Sequence, residues 1–136
     1  MEEIFSTISI AAPYMDLIEE FTLEEQIRFH FQMRRMRSGL TLDSILDKLY
    51  LTPARGKNIS NFSSGMKQRL KLGLAFYTEA QAIFLDEPGT NLDEQALAWY
   101  VDNLKQIPKE TMIFIASNQQ HEYPKTSEIV NLKEFK

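Results

Sequence analysis

Ala82-Ile83-Phe84-Leu85-Asp86-Glu87-Pro88 decides the fold of this chain. Its first four residues carry no polar side chain, the pattern of a buried parallel strand rather than of a half-exposed strand, in which apolar and polar residues alternate. Such a strand delivers Asp86 and Glu87 to the C-terminal edge of a parallel sheet, where open α/β proteins bind their ligands. Paired acids at that edge suit nucleotide chemistry. One carboxylate can hold Mg²⁺ while its neighbour orients or deprotonates the water that attacks a γ-phosphate. The plainer alternative is a turn-capping Asp86 beside a surface Glu87.

Working outward, Phe62-Ser63-Ser64-Gly65-Met66-Lys67-Gln68-Arg69 precedes a helical pattern that runs to about Tyr77, with Met66, Leu70 and Leu74 on its inner side. The serines stand at the N-cap position, so the free N–H groups of that helix point outward at an anion. Further upstream, Ile4 to Ala12 reads as a core strand ending at Pro13. Thr22 and Glu25 form a capping box that starts a helix near Leu23, running to about Met36. Leu42, Ile45, Leu46 and Leu49 lie on one face of a second helix. Downstream, the expectation is a helix from about Asp93 to Gln106, a strand from Thr111 to Ser117 and a short strand from Glu128 to Leu132.

The order of these elements and the strings they carry resemble the nucleotide-binding domain of an ABC transporter. Ser63-Ser64-Gly65-Met66 followed by Lys67-Gln68-Arg69 looks like the family's signature motif, Phe84 to Glu87 like its Walker B strand, and Asn91-Leu92-Asp93 like its D-loop. The resemblance implies an α/β fold, a partial P-loop NTPase (RecA-like) parallel sheet with an inserted helical subdomain. Its parts would be a Q-loop strand and loop over 4–22, a helical subdomain with the signature over 23–78, and the Walker B, D-loop and switch region over 79–136. It implies ATP and Mg²⁺ as cofactors, with Asp86 on the metal and Glu87 as general base. Ser63, Ser64, Gly65 and Met66 would contact ATP held by an opposing subunit, and Asp93 would line the interface between the two. The implied partners are a transmembrane transporter subunit and a second ATPase domain, in a homodimer or heterodimer, at the cytoplasmic face of the membrane.

Two positions depart from the family pattern. The Q-loop glutamine is expected at Pro13, which has no side-chain amide. The switch histidine is expected at Asn118, which can hydrogen-bond a γ-phosphate but cannot carry its proton. His121, three residues later, could take that place if the loop bends back, but reads as solvent-exposed. The Gly-x-x-x-x-Gly-Lys-[Ser/Thr] string that cradles phosphates is also missing. Gly56-Lys57 is followed by Asn58 and has Leu51 where the first glycine belongs, so it reads as a loop. The chain therefore corresponds to the C-terminal portion of such a domain, expected to bind ATP weakly and not to hydrolyse it alone. A non-catalytic interaction module of the same fold is the alternative. Chromosome-maintenance ATPases share the signature but insert long heptad coiled coils, for which residues 23–78 are too short and irregular.

Composition agrees with a single domain: 136 residues are enough for a core, and 43% hydrophobic with 25% charged residues is ordinary. A net charge of −4 argues against a nucleic-acid partner. Arg28, Arg34, Arg35 and Arg37 form the one concentrated basic cluster and read as the solvated face of a helix. Without cysteine there is neither a disulfide framework nor a thiolate metal site. Tyr14, Met15, Leu17, Ile18 and Phe21 offer an apolar loop, which the resemblance implies lines a groove for a short helix of the membrane subunit; the plainer reading is a packing surface for the helix at Leu23.

Overall fold

The computed structural model describes residues 7–124 and 127–132. In chain order it contains β1 (Ile8–Ala11), α1 (Leu23–Met33), α2 (Leu42–Lys48), α3 (Ser64–Phe76), β2 (Ala82–Asp86), α4 (Glu94–Gln106) and β3 (Met112–Ala116), with short 3₁₀ turns at Thr52–Ala54, Ile59–Asn61 and Gln120–Glu122. The three strands form one parallel sheet in the order β1-β2-β3. Its register aligns Ile10 with Phe84 and Phe114, and Ala11 with Leu85 and Ile115. Residues 4–6 of the expected first strand lie outside the described residues.

Local chemistry explains the helix starts. Thr22 Oγ1 accepts the Glu25 N–H at 3.2 Å while Glu25 Oε1 accepts the Thr22 N–H at 3.0 Å, so the capping box closes and α1 begins at Leu23. Thr41 and Ser44 repeat the device at α2. Leu23 and Ile27 from α1, Ile45 and Leu46 from α2 and Leu70 and Leu72 from α3 are all fully buried, and they share one hydrophobic cluster with Ile83 and Leu85 of β2. Phe76 joins it to α4, its ring centroid 6.0 Å from those of both Trp99 and Tyr100. α3 is the hinge of this arrangement, because it packs against β1, β2 and α4 alike.

Three expectations need correction. Helix α1 stops at Met33 rather than near Met36, because residues 34–37 turn extended and pair with the segment after α3: the Arg37 N–H donates to the Tyr77 carbonyl at 2.8 Å and the Glu79 N–H to that of Arg35 at 2.8 Å. The basic cluster is therefore not one solvated helix face. Arg34 and Arg37 are half-buried, Arg37 lies 5.8 Å from the Tyr77 ring centroid, and only Arg28 and Arg35 are exposed.

Second, β2 is not buried on both sides. Ile83 and Leu85 face the helices, whereas Phe84 is 39% exposed and stacks on Phe114 at 4.8 Å between ring centroids. With Ile10 and Met112 these rings form an uncovered apolar sheet face, beside a hollow of about 550 Å³ edged by Tyr14, Glu128 and Val130. A continuous apolar run signals two buried faces only when layers exist on both sides, and the described residues supply one layer. Third, Glu128 to Leu132 forms no strand. Ile129, Val130 and Leu132 are largely exposed, and an apolar run becomes a strand only where a neighbouring backbone pairs with it.

Candidate functional site

β2 ends at Asp86, and the chain reverses at once. Glu87 adopts a positive φ of 45°, unusual for a residue with a side chain, and its N–H is held by the Ala116 carbonyl at 2.8 Å. The Thr90 N–H closes the turn on the Glu87 carbonyl at 3.2 Å, and a second positive φ, 63°, follows at Asn91. Strained conformations of this kind persist where the surroundings fix them, and they collect at functional loops. The result is an exposed Glu87 side chain at the sheet edge, beside a half-buried Asp86. Neither carboxylate is engaged in a hydrogen bond or ion pair among the described residues.

The N-terminus of α3 reaches the same loop. Ser63 is its N-cap, and Oγ accepts the Met66 N–H at 3.1 Å. The N–H groups of Ser64 and Gly65 have no partner within the helix. No acid occupies this first turn, in contrast to α1, α2 and α4, so its positive helix end is uncompensated. Gly65 lies so close to the loop that a Cβ there would stand 3.0 Å from the Asn91 carbonyl oxygen. One turn further on, the buried Gln68 donates from Nε2 to the Pro88 carbonyl at 2.9 Å. Ser63 and Ser64 are exposed, whereas Met66 is half-buried against the core.

The other expected residues divide. Asp93 spends its carboxylate as the N-cap of α4, where Oδ1 accepts the Ala96 N–H at 2.7 Å. Asn118 and His121 are both exposed on the loop after β3. Pro13 is exposed, and its carbonyl accepts a long hydrogen bond, 3.4 Å, from Lys71 Nζ. Of the apolar loop that follows, Tyr14 is 77% and Met15 40% exposed, while Leu17 and Phe21 pack against the core. Leu17 and Phe21 thus follow the packing reading, while Tyr14 and Met15 are left exposed.

Sequence reasoning missed Gln68, Gly89 and Glu122. Glu122 is buried and joins the loop of Glu87 to the loop of Asn118. A glutamate inside the polar run Asn118-Gln119-Gln120-His121-Glu122 gives no sign of burial. Gln68 lay within a quoted motif, and its position one turn inside a capped helix was the available signal.

The donor set fits a magnesium nucleotide. Two uncommitted carboxylates at a sheet edge offer the hard oxygen ligands that Mg²⁺ prefers, and an uncompensated helix N-terminus suits an anion. Among the described residues no three His, Cys, Asp or Glu side chains converge, so any metal at Asp86 would take its remaining ligands from phosphate and water. No described helix is long and apolar enough to cross a membrane.

Comparison with known proteins places these features in a wider set. The family model described as "ABC transporter" matches residues 3–90. The chain is 27% identical over 119 residues to ABC transporter A family member 1 of Dictyostelium discoideum, covering 85% of this chain and 14% of that protein. With ABC transporter A family member 8 of the same organism the identity is 33% over 119 residues, again 85% of this chain and 14% of the relative. Among solved structures, the ATP binding subunit of an ABC transporter superposes with a TM-score of 0.73 at 26% identity, over 85% of this chain and 50% of that one. The chain thus spans about a seventh of those curated relatives, at 14% of each.

Proposed function

The chain belongs to the ABC transporter family, and on that premise we propose that it is the signature and Walker B portion of an ATPase subunit that couples ATP hydrolysis to transport across a membrane. The observation that carries this reading is the posture of Glu87. A positive φ, the hydrogen bond to Ala116 and the packed turn behind it present this carboxylate at the sheet edge, free of any other engagement among the described residues. When bound, Mg-ATP supplies the γ-phosphoryl group. Glu87 orients the attacking water and accepts its proton, and Asp86 is the metal-side acid. Ser63, Ser64, Gly65 and Met66 present a helix N-terminus to ATP held by an opposing ATPase domain, while Asn118 offers its amide to a phosphate oxygen. Asp93 holds the start of α4 beside that interface. Residues 23–78 act as the helical subdomain, and exposed Tyr14 and Met15 meet the membrane subunit on its cytoplasmic side. The 136 residues hold no Gly-x-x-x-x-Gly-Lys-[Ser/Thr] string, so the phosphate cradle has to come from outside them.

A second reading has its own support. Pro13 and Asn118 replace a glutamine amide and a histidine imidazole, which favours a non-catalytic module that keeps the fold for assembly. ATP turnover by the protein purified with its membrane partner separates the two. Turnover that depends on Glu87 supports the engine, and its absence in the intact assembly supports the module.

A further inference from the structure

Glu122 is 3% exposed, and no part of the mechanism above uses it. Each of its carboxylate oxygens meets a different loop. Oε1 accepts the Gly89 N–H at 2.9 Å, in the turn directly after Glu87 and Pro88. Oε2 takes the hydroxyl of Ser117, the residue before Asn118, and that same Ser117 Oγ accepts the Gln119 N–H at 2.9 Å. The Glu122 main chain is anchored as well: its carbonyl accepts from the buried Tyr100 hydroxyl of α4, and its N–H donates to the Gln119 carbonyl at 3.1 Å. Gly89 fits this contact only without a side chain, since a Cβ there would stand 2.6 Å from Glu122 Oε1.

We propose that Glu122 is a positioning residue, a two-pronged brace that locks the loop carrying Glu87 to the loop carrying Asn118. A buried carboxylate must satisfy both oxygens, and this one does so with one donor from each loop. Displacing either loop strands one oxygen, so the two loops move together or not at all. The consequence for Glu87 rests on the proposed function; the brace itself rests on geometry alone.

The test is a coupling measurement on the full chain by amide NMR. Ser117→Ala should shift the Gly89 amide resonance and speed its hydrogen exchange about tenfold, the effect of weakening one hydrogen bond. In a Glu122→Ala background, which removes both prongs, the same Ser117→Ala change should leave Gly89 where it is. If Ser117→Ala does not move Gly89, or moves it equally in both backgrounds, there is no brace. Should Glu122→Ala fail to fold, Glu122→Asp, which falls one methylene short of both loops, serves under the same criteria. Loss of the fold in both overturns the proposal, since Glu122 would then sustain the fold and position nothing. In the assembled transporter, Glu122→Ala should lower kcat with KM unchanged; an unchanged kcat beside an intact NMR coupling removes the positioning role. No turnover in the unsubstituted assembly would instead sink the proposed function, with the NMR result still deciding the brace.

Discussion

Gln68 Nε2 donates to the Pro88 carbonyl at 2.9 Å, tying the helix capped by Ser63 to the turn that presents Glu87. Both residues are buried, so water cannot replace the bond. A single buried hydrogen bond thus joins two motifs that stand twenty positions apart in the sequence.

Breaking that bond should have a measurable cost. Gln68→Leu removes the donor and leaves a buried carbonyl unsatisfied, which costs about 1–3 kcal/mol. Urea denaturation should show a lower midpoint at an unchanged slope. A midpoint equal to that of the unsubstituted chain would mean that the two motifs are not joined here.

Gly73 of α3 lies against Leu49, the residue that caps the C-terminus of α2. A Cβ at this position would stand 2.3 Å from Leu49 Cδ2, and Leu49 is fully buried with no room to retreat. Gly73→Ala should destabilise by about 1–3 kcal/mol, the range for overpacking, despite alanine's better helix propensity. In a Leu49→Ala background the penalty should shrink or reverse, and a double-mutant cycle reads the coupling. Strict additivity would refute the contact.

Much of this fold was legible in the sequence, and the failures share a cause. Local signals worked: Thr22 with Glu25, Ser63 and Asp93 each placed a helix start, and Ala82 to Asp86 was delimited as a strand. Signals that depend on what lies across from them did not. Phe84 is exposed because the described residues put no layer over it, and residues 128–132 join no sheet because no described strand runs alongside them. Arg34 to Arg37 left the helix for tertiary hydrogen bonds to Tyr77 and Glu79. At the candidate site, the apolar strand before them marked Asp86 and Glu87 and the helix start marked Ser63, whereas Glu122 shows its place only through burial between two loops.

His30 should make stability depend on pH in a defined window. Its Nε2 lies 2.8 Å from Thr78 Oγ1, whose own hydrogen goes to the Leu74 carbonyl at 2.6 Å, so Nε2 carries the hydrogen and donates. Burial, then the neighbouring Arg34 charge, pushes its pKa down to about 4. Below pH 6.5 the unfolded chain takes up a proton that the folded chain refuses, so stability is full above pH 6.5 and falls as pH drops toward 4. The loss is on the order of 3 kcal/mol. Glu24, held down to about 2 by hydrogen bonds from Arg55 and Arg28, contributes stability that is lost only at lower pH, below about 4.5. Denaturation midpoints at pH 7 and pH 5 should therefore differ, and His30→Gln should abolish most of that difference.

The uncovered sheet face and the free edge of β3 should drive self-association of the 136-residue chain. β3 pairs only with β2 among the described strands, and Phe84, Met112 and Phe114 stand exposed beside that edge. Exposed edges recruit strands, and apolar patches recruit surfaces. Light scattering should report a mass that rises with concentration, and Phe114→Lys should suppress the rise. A strict monomer at high concentration would contradict this.

The central claim, that Glu87 is the base of an ATPase, is tested most directly by single-turnover ATP cleavage in the assembled transporter, comparing the unsubstituted protein with Glu87→Gln. The substitution keeps size and hydrogen bonding but removes the base, so the cleavage rate should fall by about 10²–10⁴-fold with nucleotide affinity retained. An undiminished rate would contradict the account.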